Sequence, residues 1–480
     1  MNLGKKEENR GERFIKAFSH FTAEPLSRWI HYNFVLAKIV VISSGVLTTL
    51  ISLNLIYFDQ FLYGFISVLL SLFFFSFNKL IDFTLSSRKE MSDHLFFDNE
   101  CEGGRLYYEG DIPVLSIETE DPFNSGKMQG MLLGANLNRL MERWKIPFYL
   151  SNGMRHPEEL PHITGYLKKV IPDKYLKELN GIVIGYNQWL KDRAKTDLIT
   201  LDVLLLYHLI ADRHHFSPAI MEARITGGRM PLIDLPIGSA CSVVIHGNKE
   251  EGIMIGRNLD WPTMGGLESL IIKRTHSNGK KTVGVGVPGV VGISTGMNSL
   301  GLCLATNASI GTTDELRGMP SLFLNRLCLE NCNSVDEVER LLGDHPPLGP
   351  YHLSIADAER AGCFHMYQNK GNELHFYREW NGVDPLIVSN RNYEKNCSHK
   401  ESIYFFNDER EENLYNYFKN SAPKSLETMI KQGLSLPLVN NPFTVHHVLM
   451  NPRLNELKVA FNDGFAGDLP LKALPRNLLD

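Results

Sequence analysis

Two long apolar stretches stand out before residue 80. Residues 39–58 are apolar apart from Ser, Thr and Asn, and after Asp59-Gln60 residues 61–77 are apolar again. Each approaches the ~20 residues that a helix needs to cross a bilayer, so the pattern predicts a transmembrane helical hairpin over 33–80. A cleaved signal peptide carries an apolar region of only ~7–15 residues and has no second span directly behind it. A buried hairpin of a soluble core is the other way to accommodate the pattern. Lys5, Lys6, Arg10, Arg13, Lys16, Arg28 and Lys38 precede the spans, and Lys79, Arg88 and Lys89 follow them. The intervening turn carries only Asp59, so the positive-inside bias predicts both termini on the cytoplasmic side.

Behind the hairpin the period changes twice. Residues 81–105 form a linker, and then apolar positions recur with helical spacing over 125–144, 175–191 and 196–211. Gly227-Gly228 and the stretch from Pro231 to Pro236 break the helices and lead in extended form to Cys241. Beyond it, 243–246 and 253–259 predict one hairpin around the polar turn 248–252, and 269–274 with 281–287 predict a second. Strands follow at 289–295 and 302–306. Two helices come next at 321–330 and 335–342, the latter opened by a Ser334/Glu337 capping box and closed by Gly343. Strands return at 352–356, 363–367, 373–377 and 386–389. Strands, a helical pair and more strands are layered most simply as two sheets face to face with helices outside. The expected fold class is therefore α+β, a four-layer αββα sandwich. The expected organisation is a basic segment (1–32), the transmembrane hairpin (33–80), a mainly helical region (81–240) and a catalytic region (241–480).

Composition narrows the function classes. The 480 residues are 43% hydrophobic and 21% charged, which is a globular balance. A net charge of −5, with no basic block or aromatic-interleaved stripe, gives no nucleic-acid partner. Seven scattered cysteines (101, 241, 303, 328, 332, 363, 397) argue against a disulfide framework and fit a reducing compartment.

Candidate chemistry centres on Cys241. Gly238-Ser239-Ala240-Cys241 is followed by an apolar strand, and a returning strand carries Arg257 and Asp260 in Gly256-Arg257-Asn258-Leu259-Asp260-Trp261. A guanidinium beside a thiol favours the thiolate that does the chemistry, and Asp260 is a candidate to orient that Arg or an amine. The competing reading is a buried cysteine that acts as a small apolar side chain.

The run from Cys241 to Trp261 resembles the N-terminal-nucleophile hydrolases of the choloylglycine hydrolase, acid ceramidase and penicillin acyltransferase group. Weaker similar pieces are the stretch from Pro172 to Gly181, Thr295-Gly296-Met297-Asn298 and Thr306-Asn307, so the resemblance extends over most of the chain after about residue 90. It implies the αββα fold and a cysteine freed as a new N-terminus by self-cleavage of the Ala240-Cys241 bond. It also implies site roles for Cys241, Arg257, Asp260, Asn307, Asn390 and Arg410. Arg391 departs from the pattern, which often has an aromatic residue or His after the Asn390 position, and Asn392 competes with Asn390. In such a mechanism the freed α-amine, with a reference pKa of only ~7.7–8.0, serves as base for its own thiol. The thiol then attacks an amide carbonyl to give an acyl-thioester.

The expected function is a membrane-anchored, self-processing cysteine amidase acting on a linear amide of a small N-acyl, lipid-like compound. Acyl transfer to another amine is a close variant, because a thioester does not dictate its acceptor. Gly292-Ile293-Ser294-Thr295-Gly296 satisfies GxSxG and nominates a Ser294 esterase, although residues 296–306 predict a hairpin instead of the helix that such a nucleophile needs. A non-catalytic binding protein of the same fold is the remaining reading. Gly284 to Gly289 satisfies GxGxxG without a helix behind it. The pairs His214-His215 and His446-His447 and the couple Cys328/Cys332 lack metal-ligand spacing. No cofactor and no metal are expected, and the sequence leaves the oligomeric state open.

Overall fold

The computed structural model describes residues 99–148, 160–209, 212, 240–261, 269–309, 318–366, 375–391, 393, 407–421, 424–441, 443–461 and 466–475. The chain divides into two units, Met1–Ser86 and Ser87–Asp480, and every described residue belongs to the second. The basic segment and the expected transmembrane hairpin therefore lie outside the described residues. Among the described residues no helix is long and apolar enough to cross a membrane.

Sixteen described strands make two sheets. β1 (Asn99–Cys101), β2 (Gly104–Glu109) and β3 (Ile112–Ile117) come first, followed by β4 (Ala240–Asn248), β5 (Gly252–Asp260), β6 (Leu270–Thr275), β7 (Lys281–Gly286), β8 (Thr295–Asn298) and β9 (Cys303–Ala308). Then come β10 (Tyr351–Ala356), β11 (Ala361–Met366), β12 (His375–Glu379), β13 (Leu386–Val388), β14 (Thr444–Asn451), β15 (Glu456–Phe461) and β16 (Lys472–Ala473). One sheet has the order β1-β2-β3-β6-β7-β8-β9-β10-β11-β12, and the other β13-β4-β5-β14-β15-β16. The described helices are α1 (Pro122–Leu132), α2 (Gly134–Phe148), α3 (Leu160–Val170), α4 (Asp173–Lys191), α5 (Leu201–His208), α6 (Ser321–Asn331), α7 (Val335–Asp344), α8 (Asn407–Asn420) and α9 (Leu426–Leu434).

Strand alternation produces the layers. On β10 and β11, Tyr351, Leu353, Ile355, Phe364 and Met366 join a cluster with α2 to α7. Their neighbours Ala356, Ala361 and Cys363 join an inner cluster with Val243, Ile245, Ile255, Val448 and Met450 from the six-stranded sheet. Successive side chains point to opposite faces, so one sheet buries one face on helices and the other on its partner sheet. Leu414, Leu426, Ile430 and Leu434 of α8 and α9 cover Val244, Met254 and Leu449 on the far side of the six-stranded sheet. The expected layering, helices outside two facing sheets, is thus present in the described residues.

The region before Cys241 differs from expectation. It contributes β1, β2 and β3, and β3 pairs in parallel with β6, so 81–240 and 241–480 share the ten-stranded sheet. The single helix expected over 125–144 breaks at Leu133 into α1 and α2. The helix expected from 196 starts only at Leu201, where Thr200 Oγ1 accepts the Val203 N–H. α1 and α4 cross on glycines: a Cβ on Gly126 would lie 1.8 Å from the Glu178 carbonyl oxygen, and one on Gly181 2.1 Å from that of Phe123.

Later segments follow the sequence pattern more closely. Of the strand expected over 289–295 only Thr295 is in a strand, and 289–294 form a loop whose backbone bonds to helices, Ile293 N–H to the Leu322 carbonyl and Val291 N–H to His208 Nε2. Ser334 caps α7 by accepting the Glu337 N–H, while the Glu337 carboxylate reaches Asn333 N–H, one residue earlier than in a capping box. α7 also runs through Gly343 to Asp344 instead of ending before it.

Candidate active site

Cys241 is the second residue of β4, and the β4–β5 register decides its surroundings. Cys241 lies opposite Leu259, Val243 opposite Arg257, and Ala240 opposite Asp260. Cys241, Val243 and Arg257 therefore share the face turned to the other sheet, whereas Asp260 shares the opposite face with Ser242 and Asn258. The turn that sets this register is an Asx turn, in which Asn248 Oδ1 accepts the N–H groups of Glu250 and Glu251. Gly252 leaves it at φ +79°, a left-handed conformation that glycine adopts without a Cβ penalty.

Arg257 is buried and held from both sheets. Its Nη1 donates to Thr295 Oγ1 and lies 3.2 Å from His446 Nε2 and 3.5 Å from Ser294 Oγ. Its Nη2 donates to the Thr306 carbonyl at 2.5 Å and reaches Cys241 Sγ at 3.6 Å. Burial lowers the Arg257 pKa, and Cys241 and then Asp260 oppose that shift. His446 is driven well below the usual imidazole range, first by burial and then by Arg257 and His447. It is neutral and accepts from Arg257 through Nε2, which assigns its ring proton to Nδ1.

The backbone of Cys241 is gripped by side chains from the edge strand and α8. β13 pairs Val388 with Val243 and then stops. Two residues further along the same register Asn390 comes level with Cys241, and Asn390 Oδ1 accepts the Cys241 N–H at 2.7 Å. Asn390 Nδ2 donates to the Ala308 carbonyl at 2.8 Å. Arg410, fully buried in the first turn of α8, donates through Nη1 to the Cys241 carbonyl at 2.5 Å and to Ser242 Oγ at 2.8 Å. Its Nη2 donates to Asn390 Oδ1 at 3.1 Å and Asn407 Oδ1 at 3.0 Å. Asn307 on β9 directs Nδ2 at the carbonyls of Cys241 (3.5 Å), Val388 (3.0 Å) and Ser389 (3.2 Å). Its Oδ1 is buried without a partner among the described residues.

Asp260 is placed differently from expectation. It makes no hydrogen bond to Arg257, because the odd offset from Cys241 turns it to the other face of the sheet. Its carboxylate accepts from Thr444 Oγ1 at 2.6 Å and Asn441 Nδ2 at 2.7 Å. Burial raises its pKa to about 6, against the opposing pull of Arg410 first and then of these two hydrogen bonds.

The structure thus brings all six nominated residues, Cys241, Arg257, Asp260, Asn307, Asn390 and Arg410, to one end of the β4–β5 hairpin. Arg391 points away: its guanidinium pairs with Asp408 at 2.8 Å and Glu411 at 3.7 Å. Asn392 and the pair His214-His215 lie outside the described residues. Ser294 is followed by the strand β8, not a helix, so the esterase geometry is absent. Gly284 to Gly289 likewise leads from β7 into a turn and not into a helix. Sequence reasoning missed Asn407, which orients both Asn390 N–H (2.8 Å) and Arg410. It also missed Thr295, Asn441, Thr444 and His446. Thr295 sits inside the GxSxG motif and Asn407 three residues before Arg410, so both are adjacent to residues that the sequence does single out.

Residues 247–433 match the family model described as acyl-coenzyme A:6-aminopenicillanic acid acyl-transferase. The match includes every nominated residue except Cys241, which lies just before it, and it is shorter than the coverage expected from about residue 90. No curated protein matches the chain. Among solved structures, an N-acylethanolamine-hydrolyzing acid amidase ortholog from Caenorhabditis elegans is 18% identical, covers 44% of this chain and 93% of its own, and superposes with a TM-score of 0.35. A variant of conjugated bile acid hydrolase from Clostridium perfringens is 15% identical, covers 50% and 94%, and also has a TM-score of 0.35.

Proposed function

We propose that the chain is a self-processing cysteine amidase of the N-terminal-nucleophile hydrolase group that cleaves a linear amide of an N-acyl compound, a reading supported by the family-model match over residues 247–433. The observation that carries this reading is how the Cys241 peptide unit is held: its nitrogen by Asn390, its carbonyl by Arg410 and its thiol by Arg257. Cys241 Sγ attacks the Ala240 carbonyl, the acyl chain passes from nitrogen to sulfur, and water hydrolyses the resulting thioester. This leaves a carboxylate on Ala240 and a free amine on Cys241. Asn390 Oδ1, which already accepts the Cys241 N–H, then orients that amine as the base that takes the thiol proton.

In turnover the thiolate attacks the substrate amide carbonyl, and the amine leaves with the proton. Water attacks the acyl-thioester and regenerates the thiol. Asn307 Nδ2 and Asn390 Nδ2 lie beside the nucleophile strand, where they bond the Cys241 and Ala308 carbonyls, and in turnover they turn to the oxyanion as donors. Arg410 fixes the peptide plane of Cys241 through its carbonyl instead of touching the substrate, and the buried Asp260 carboxylate attracts it electrostatically from the reverse face of β5. Acyl transfer to an amine is the second reading, favoured by the acyl-transferase description of the matching family model.

The same proposal includes membrane attachment through the two apolar runs at 39–58 and 61–77, with the catalytic region on the cytoplasmic side. That placement sets the site beside a lipid pool and supports an apolar acyl chain on the substrate.

The test is an end-group and activity analysis of the full chain, Cys241→Ala, Cys241→Ser and Ser294→Ala on a panel of fluorogenic N-acyl amides, with and without an amine acceptor. Cleavage yields two pieces of 240 residues, which differently tagged termini resolve. The C-terminal piece should begin with Cys241. Cys241→Ala should remain intact and inactive, and Cys241→Ser should process slowly. Acceptor-dependent product would favour the transfer reading. A fully active chain with an uncut Ala240–Cys241 bond, or loss of turnover in Ser294→Ala alone, would refute the proposal.

A further inference from the structure

A second polar site lies where α4 and α6 meet the end of β6, apart from Cys241. A cleft of ≈ 320 Å³ there is lined by Lys174, Glu178, Arg274, Arg326 and Glu330. Its two inner carboxylates are already saturated. Glu330 receives Arg326 Nε at 2.6 Å, Lys174 Nζ at 2.5 Å and the Tyr175 hydroxyl at 2.9 Å. Glu178 receives Arg326 Nη1 at 2.7 Å. Three cations thus face two acids, and Arg274 has the weakest pairing, with Glu178 Oε1 at 3.4 Å. It is 2% exposed, and among the described residues that long contact is its one side-chain hydrogen bond and its buried Nε has no partner. The other acid on the wall, Glu120, is exposed and pairs with none of them.

An under-paired guanidinium that is out of water is costly unless an anion meets it. Burial, and then repulsion from Arg326, pull its pKa down to about 10. The cleft is large enough to admit a small ligand, and Lys174, 42% exposed at its side chain, stands at the mouth as a second cation.

We propose that this cleft binds a small oxyanion, a phosphate or a carboxylate, with Arg274 as the inner anchor and Lys174 at the mouth. A planar guanidinium presents paired donors that match either group.

The test is thermal denaturation of the full chain carrying Cys241→Ala, which keeps the chain uncut during the titration. Inorganic phosphate and acetate are titrated separately at ionic strength held constant with chloride. Binding to the folded state should raise the melting temperature in a saturable way with at least one of the two anions, and which one identifies the ligand chemistry. Arg274→Gln should abolish the shift, and Lys174→Gln should weaken the apparent affinity by roughly five-fold or more. If Arg274→Gln fails to fold, the half-exposed Lys174→Gln and the parent titration decide the matter. No saturable shift with either anion, or the same shift in parent and variants, would overturn the proposal and leave a purely structural ion network. None of these readouts depends on amidase activity.

Discussion

Arg257 is the residue whose replacement tests the site most directly, because its two terminal nitrogens join four strands. Nη2 reaches Cys241 Sγ at 3.6 Å and the Thr306 carbonyl at 2.5 Å, and Nη1 binds Thr295 and faces His446. Arg257→Ala removes the only described cation bonded to the sulfur and leaves three buried acceptors without their donor. Loss of one preorganised charge contact in a reacting site costs ~2.7–4 kcal/mol, a fall of ~10²–10³ in turnover. Arg257→Lys keeps the charge, but one ammonium cannot span Thr295 on β8, Thr306 on β9 and the thiol together. It should therefore recover only part of the loss, about ten-fold if the one charge-assisted hydrogen bond it keeps is worth ~1.5 kcal/mol. Two readouts apply: the rate of appearance of the Cys241 end group, and kcat/KM on the most responsive fluorogenic amide. Melting temperature serves as a check on folding. Folded Arg257→Ala and Arg257→Lys proteins that both process and turn over like the parent would remove Arg257 from the mechanism.

Three further outcomes are expected. Asp260, raised from 3.8 to about 6 by burial, should stabilise the fold most below the ordinary carboxylate range, and that contribution should be lost as pH rises through 6. A shift of about two pH units corresponds to roughly 3 kcal/mol, so Asp260→Asn should flatten the rise of the urea midpoint on going from pH 7 down to pH 4; an unchanged slope would contradict the assignment. Gly181→Ala should cost ~1–3 kcal/mol by overpacking the α1–α4 crossing, whereas Gly165→Ala, with nothing within 4 Å, should be neutral or stabilising by up to about 1 kcal/mol. Equal melting temperatures for the two variants would refute the close-crossing argument. A reporter fused after Asp480, or a tag at Met1, should be active only in its cytoplasmic form, and activity of a lumen- or periplasm-dependent reporter at Asp480 would reverse the orientation.

The β4–β5 hairpin and the face that each of its residues takes are readable from the chain. An apolar run, a polar Asn-Lys-Glu-Glu-Gly turn and a second apolar run fix the register, and the parity of the offsets then puts Arg257 beside Cys241 and Asp260 on the reverse face. Parity alone therefore excludes a direct contact between Asp260 and Arg257, one of the two roles expected for Asp260. Asn307, Asn390 and Arg410 are nominated only through family resemblance. Nothing local in Leu386–Val388 or in the first turn of α8 says that those elements end beside β4.

Several features could be decided only by the assembled layers. The segment 289–294 has strand-like apolar residues, yet it forms a loop because α5 and α6 supply its backbone partners. β1, β2 and β3 precede Cys241 by more than a hundred residues and still extend the sheet that faces its own, through the parallel β3–β6 pairing. Local pattern determines which residues are apolar, where turns fall and which side chains share a strand face, since those depend on neighbours a few positions away. The position of Asn390 against the Cys241 nitrogen, the burial that shifts Asp260 and the weak pairing of Arg274 depend on contacts across 149, 184 and 96 positions of sequence. Such contacts form only when distant strands pair, helices pack on the sheets and water is excluded.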